Sequence, residues 1–329
     1  MNNWVRDAIK WISIALLMGV HLCRGDATGL RKEVSTEGKE QFLVIDLSGG
    51  PSATTYPVRY SGEGPDLSKD SCRTTELWLR LIPQGTFTMG SPESESGHAA
   101  DETLHRVTIS KSFYMGVFEV TQKQWKLVMG ENPSYNRGDT RPVEYITYND
   151  IRGADTGSNW PSSEQVDAYS FLGKIRARTN LNLDLPTEAQ WEYACRAGTT
   201  TALNNGKDLE DLVNDAGLAE LGRYLQNRKE DNGGYVSAST KVGSFQPNAW
   251  GLYDMHGNAW EWCRDWYEDY AIDKEFDPVG ASSGPCRVLR GGDWYSKAQD
   301  CRSAKRFSCY PSQWLFNFFG FRLCCYPGQ

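Results

Sequence analysis

"NAWGLYDMHGNAWEWCRDWY", residues 248–267, is the stretch that decides the fold. Two acids, Asp254 and Glu261, flank a loop that contains Gly257. A hard cation such as calcium takes six to eight oxygens, carboxylate and backbone alike, and a loop of this length can supply them. The other reading is a structural turn that carries Trp260 and Trp262 into the core without an ion. Further on, "RDWYEDY" holds Asp265, Glu268 and Asp269, which read as a solvated face rather than a catalytic acid pair.

The rest of the chain has the same character. Its 329 residues include 32 Gly, 12 Trp and 16 Tyr, which predicts ordered loops with aromatic rings filling the space between them. Net charge is −7, without a Lys/Arg cluster, so nucleic acid is not an expected partner. Four His, none in zinc-ligand spacing with Cys, argue against a zinc enzyme. No G-x-S-x-G elbow and no phosphate loop occurs.

The N-terminus, residues 1–27, reads as an export signal: Arg6 and Lys10 precede "WISIALLMGVHLC", which is short for a membrane span. An uncleaved anchor is the alternative, and Cys23 raises the possibility of lipid attachment. The expected location is periplasmic, cell-surface or secreted, with membrane contact only through the signal or a lipid on Cys23. Eight further cysteines would then lie in a disulfide-permissive compartment, with connectivity open.

Residues 28–75 read as an N-terminal extension with short strands, and residues 76–329 as the main domain. "ELWLRLIPQGTFTMGS" reads as a strand pair around Pro83–Gly85, and "RVTISKSFYMGVFEV" as two strands. Thr121 with Gln124, and Thr187 with Gln190, form capping boxes that open two helices. Residues 166–179 carry apolar residues at helical spacing, and residues 199–250 read mostly as loop. The class is α+β, loop-rich, with few regular elements, and such loops need ions, disulfides or aromatic packing to hold them.

"IPQGTFTMGS", "FEVTQKQW", "RPVEYITYND", "LPTEAQWEYACRAG", the opening stretch, "RVLRGGDW", "CRSAKRF" and "GFRL" follow one another over residues 76–325. In this order they resemble the sulfatase-modifying-factor family, that of formylglycine-generating enzymes. The resemblance implies the formylglycine-generating-enzyme variant of the C-type-lectin-like fold. It also implies a structural calcium held by the carboxylates of Asp254 and Glu261 and the backbone oxygens of Gly257 and Ala259, with Asn258 bracing the turn.

Family oxidases use two active-site cysteines, four residues apart, to bind Cu(I) and convert a substrate cysteine to formylglycine. Soft thiolates suit that ion. In "RGGDWYSKAQDC" the second position is Cys301, but the first is Ser296, a poor Cu(I) ligand. Copper is therefore not expected, and Cys301 is catalytic only if the chain is an oxidase after all. A structural role for Cys301, including a disulfide with Cys195 or Cys309, is the alternative. Ser170 and Leu323 stand where the oxidases carry a further cysteine pair. Iron-dependent sulfoxide synthases of this fold take three His from an additional helical domain, which has no counterpart here.

Residues 306–323, "RFSCYPSQWLFNFFGFRL", are rich in rings where relatives are polar. Phe321 and Leu323 belong to the fold and are expected in the core. The remainder reads as a binding face, since aromatic side chains give large contact area at low entropic cost. It also resembles variable proteins of diversity-generating retroelements, which vary surface positions between similar scaffold motifs. Asp293, Trp294, Tyr295, Phe307, Tyr310, Trp314, Phe316 and Phe318 are the principal candidate contacts, with Ser296, Lys297, Ser308 and Cys309 among them. The sequence reading is a non-oxidase binding domain for an extracellular protein or glycan. An active formylglycine-generating oxidase acting on a sulfatase cysteine, and a purely structural surface module, are the alternatives.

Overall fold

Short elements alternate with long ordered loops throughout this computed structural model, which describes residues 40–153, 165–228, 234, 236–270, 273–313 and 316–326. The signal, Cys23 and Trp314 lie outside the described residues. In chain order the first elements are β1 (Phe42–Asp46), β2 (Val58–Ser61), α1 (Ser71–Thr74), β3 (Glu76–Ile82), β4 (Gly85–Met89), β5 (His105–Ile109) and β6 (Phe113–Gly116). The helices α2 (Gln122–Met129), α3 (Tyr148–Arg152), α4 (Phe171–Thr179), α5 (Glu188–Arg196) and α6 (Ala216–Ala219) follow. The chain closes with β7 (Trp260–Trp266), β8 (Glu275–Phe276), β9 (Arg287–Arg290), β10 (Arg306–Cys309), β11 (Phe319–Gly320) and β12 (Cys324–Cys325).

Three sheets result, in the orders β12-β6-β3-β1-β2, β10-β9-β7-β11 and β4-β5-β8. β3 and β4, expected as a pair, are consecutive but belong to different sheets. Pro83 supplies no amide hydrogen for a ladder, and the chain crosses between sheets at this point. β1 pairs with β2 on one side and β3 on the other, and its Leu43, Val44 and Ile45 are buried. The segment before residue 76 therefore contributes an interior strand to the largest sheet.

Both expected capping boxes are present. The Thr121 and Thr187 hydroxyls accept from the Gln124 and Gln190 amides, and both Gln side chains reach back to the cap amides. A third, Thr147 with Asp150, opens α3. Each satisfies backbone donors that a helix start leaves unpaired. Phe171 of α4 stacks on Trp125 of α2 at 5.1 Å and meets Phe321 edge-on at 5.2 Å, closing the core beneath the largest sheet. Phe321 and Leu323 are buried, as expected.

Among the described residues no disulfide holds the loops: all eight described cysteines are free thiols, including Cys195, Cys301 and Cys309. Buried arginine–carboxylate pairs are the visible cross-links instead. Every residue of α5 is buried, its acids included. Glu192 accepts from Arg196 at 2.8 Å and from Arg290 at 2.5 Å. Glu188 binds Arg306 through both oxygens, at 2.7 and 2.9 Å. Arg302 bridges Glu95 and Glu102, and Arg152 grips Asp184 with two hydrogen bonds. Forked, charge-assisted bonds of this kind fix loop geometry, because removing one partner strands a buried charge. Among the described residues no helix is long and apolar enough to cross a membrane.

Candidate functional site

The loop from Asp254 to Ala259 is wound through left-handed backbone, with φ of 57° at Asp254, 91° at Gly257 and 67° at Asn258. At Gly257 only a glycine fits, since an added Cβ would lie 2.2 Å from the Arg223 carbonyl oxygen. Asn258 braces the turn. Its side chain donates to Glu119 at 2.9 Å and accepts from the Thr240 amide at 2.8 Å, and its carbonyl accepts from the Trp294 amide at 3.2 Å. One residue thus ties the loop to the start of α2 and to the segment after β9.

The acids around this loop divide into two kinds. Glu261 is clasped by Arg322 at 2.6 and 2.5 Å and accepts from the Trp191 indole at 2.8 Å, so a guanidinium already occupies the cation's role there. Asp254 accepts from the Gly243 amide through Oδ2 at 2.6 Å, while its Oδ1 has no partner. Oε2 of buried Glu119 also has none. Burial, with the Glu261 carboxylate adding to it, raises Asp254 to about 6. Burial and then Asp254 raise Glu119 well above the usual carboxylate range. Asp254 and Glu119 are thus the acids near this loop that keep an unpartnered oxygen, while among the described residues no three His, Cys, Asp or Glu side chains are arranged to hold a metal ion. Glu119 was not singled out from the sequence, where it is one acid in "FEVTQKQW" with no local sign of its approach to Asp254.

Ser296 and Cys301 follow the Gly291–Gly292 turn. Ser296 Oγ accepts from the Asp293 amide at 3.1 Å. Cys301 is fully buried, its carbonyl receives Nδ1 of His256 at 2.6 Å, and a Cβ on Gly292 would lie 2.5 Å from its sulfur. Burial, then the Asp293 and Asp300 charges, push its thiol well above the ordinary range. This is the environment of an inert packed thiol, since nucleophilic and metal-binding cysteines need the thiolate within reach.

The structure sorts the aromatic candidates by exposure. Asp293 and Trp294, expected on the outer face, are turned inward, and the indole nitrogen of Trp294 donates to the Asn317 carbonyl at 3.1 Å. A ring that large is held inward because its polar nitrogen finds a partner there. Burial raises Asp293 to about 7. Tyr295 is 57% exposed, Phe307 43% and Tyr310 58%. Phe316 and Phe318 are half-buried, stack on each other at 4.9 Å and lean on the core through Phe319. Phe307 lies over the buried Trp260 at 5.3 Å, and Arg228 lies over Tyr295 at 4.9 Å. These rings form a graded layer, Phe319 and Trp260 beneath, Phe316 and Phe318 between and Phe307 outward, and Tyr295 and Tyr310 are exposed as well.

The "RDWYEDY" stretch departs from its reading as a solvated face. Asp265 is buried and accepts from the Glu188 amide at 2.8 Å, the register of β7 against β9 shifting between Trp262 and Trp266. β7 is buried along nearly its whole length, so Asp265 is interior with the strand that carries it. Glu268 and Asp269 are exposed, as that reading requires.

Comparison with known proteins adds the following. The family description "Sulfatase-modifying factor enzyme 1-like domain" matches residues 65–325. The formylglycine-generating enzyme of Streptomyces coelicolor is 36% identical over 288 residues, covering 76% of this chain and 89% of that protein. That of Mus musculus is 26% identical over 312 residues, 84% of this chain and 82% of its own. Among solved structures, Treponema denticola variable protein 1 superposes with TM-score 0.61 at 27% identity, over 77% of this chain and 96% of its own. PvdO from Pseudomonas aeruginosa gives TM-score 0.60 at 25% identity, over 76% and 94%. The architecture is the C-type-lectin-like fold that formylglycine-generating enzymes share.

Proposed function

The chain belongs to the sulfatase-modifying-factor family, and we propose that within it this protein is an exported, non-oxidase binding domain whose aromatic C-terminal face holds an extracellular protein or glycan. The observation that carries the reading is the pairing of an inert cysteine position with an outward layer of rings. Ser296 stands where the oxidase resemblance places the first thiol, and Cys301 is sealed from solvent. Tyr295, Phe307 and Tyr310 are exposed, and rings with large area and polar tips suit a recognition surface. The likeness to a structure titled a variable protein supports the same reading, because its fold is there attached to a protein named for variation rather than for catalysis.

In this reading the Asp254 loop is scaffold. A calcium ion would supply positive charge to Asp254 and Glu119 and hold the loop, while Asn258 transmits that rigidity to the Trp294 amide. Glu261 takes its compensation from Arg322.

The test is capture by the purified full chain on arrays of glycans and extracellular proteins, with Tyr295→Ala and Tyr310→Ala beside it. Both positions are exposed, so both variants should fold. The reading expects a ligand retained by the native chain and lost by both variants. Equal retention by all three would place binding elsewhere.

A further inference from the structure

The connection that leaves α2, "ENPSYNRGDTRP" over residues 131–142, carries Arg137, Gly138 and Asp139 in succession. Both charged residues are exposed, and Asp139 keeps 64% of its side chain in solvent. Tyr135, two residues before Arg137, is 73% exposed. The charged tips are only loosely engaged. Lys123 Nζ lies 3.8 Å from Asp139 Oδ2, and Arg137 donates to the Asn132 carbonyl. Contacts this open to water contribute little and are readily exchanged for a partner's groups.

The backbone beneath them is held firmly. Gln122 and Glu144 are both buried, and their side chains grip the loop from below. Gln122 Oε1 accepts from the Gly138 amide at 2.9 Å, and its Nε2 donates to the Asn136 carbonyl at 2.8 Å. Glu144 Oε1 accepts from the Asn136 amide at 2.6 Å. The Asp139 carbonyl accepts from the Lys123 amide at 3.1 Å, and the Gly138 carbonyl from the Arg141 amide at 3.0 Å. Gly138 also leaves room for Arg141, whose Cδ would lie 2.8 Å from an added Cβ. A segment outside any helix or strand is thus fixed in shape, with a guanidinium and a carboxylate two residues apart and both in solvent. A partner that reads those two groups meets a backbone already in place, so little chain entropy is lost on binding.

We propose that this loop is a docking site for a cell-surface receptor that seats the Asp139 carboxylate on a receptor-bound divalent cation and the Arg137 guanidinium against receptor acids. An exposed carboxylate offers the hard oxygen that completes such an ion's shell. A guanidinium forks onto carboxylates with two parallel hydrogen bonds. The chain as a whole has net charge −7, so attraction to an acidic receptor groove comes from this one guanidinium and not from the overall field. The same tripeptide recurs at Arg24–Asp26, outside the described residues. The proposal rests on the export reading and is independent of the aromatic face.

The test is surface plasmon resonance of the purified full chain over an immobilised integrin ectodomain of the Arg-Gly-Asp-binding class, in manganese, with Arg137→Ala, Asp139→Glu and Asp26→Glu beside the native chain. Arg137 and Asp139 are exposed, so their variants keep the fold, and equal unfolding midpoints check this. Asp139→Glu keeps the charge and adds one methylene, so a diffuse electrostatic contact tolerates it and a seated carboxylate does not. The expected result is saturable binding, abolished by EDTA and competed by the free peptide Gly-Arg-Gly-Asp-Ser. Arg137→Ala and Asp139→Glu should each weaken it about tenfold or more, as for loss of a bond to a charged group, with Asp26→Glu unchanged. Absence of binding, or binding indifferent to EDTA or to Asp139→Glu, overturns the proposal, as does binding lost in Asp26→Glu alone. The purified chain meets the receptor directly, so a failure here is a failure of the loop, whereas cell fractionation reads export separately.

Discussion

Arg322 and Glu261 show how single residues hold this molecule. The pair is fully buried and doubly hydrogen-bonded. Arg322→Leu leaves Glu261 charged and stranded, and chemical denaturation should read a loss of about 3–5 kcal/mol. Asp265 behaves in the opposite sense. Its folded-state value, about 8, lies above its ordinary value of 3.8. The fold therefore favours the protonated acid, and this contribution is fully present below pH 3.8 and lost as pH rises through about 8. Asp265→Asn should flatten the decline in stability across that window by up to about 1.4 kcal/mol per pH unit, measured by urea unfolding at stepped pH. These residues also mark the limit of reading the chain alone. Two acids of "RDWYEDY", Glu268 and Asp269, are exposed as the local pattern implies, whereas Asp265 belongs to β7, a strand that its long-range neighbours bury on both faces. Glu119 likewise gains its meaning only from Asp254, a residue far along the chain.

At the scale of elements, local chemistry was the most legible. The Thr121 and Thr187 boxes start helices where their spacing says they should. The Thr147–Asp150 box carried the same signal and opens a helix of only five residues, too short to leave an apolar period in the sequence. Thr187→Ala removes the cap of the fully buried α5 and should cost about 1–2 kcal/mol in denaturant unfolding. Pairing between elements was not legible. β12 lies against β6, and β4 parts from β3 to join β5. These are long-range contacts with no signature in either strand alone. The calcium reading belongs here as well. Added calcium should raise the unfolding midpoint of the native chain and leave a Glu119→Gln, Asp254→Asn double variant unmoved, because a ligand stabilises only the state that binds it.

For the whole molecule, an order of eight short motifs pointed to the fold family, which the match over residues 65–325 bears out. The rings of residues 306–323 were visible as composition, but their depth was not: Phe319 and Phe321 are core, Phe316 and Phe318 intermediate, and Phe307 and Tyr310 outward. Tyr310→Ala should change stability by less than about 1 kcal/mol, as for other exposed positions. The central proposal is that this family scaffold serves recognition here and not thiol oxidation. The most direct measurement is incubation of the purified chain with copper, oxygen, reductant and a cysteine-containing sulfatase peptide, with aldehyde read by mass. No aldehyde from the folded native protein is the predicted result. Aldehyde that disappears in Cys301→Ser would contradict the account and make the buried thiol catalytic.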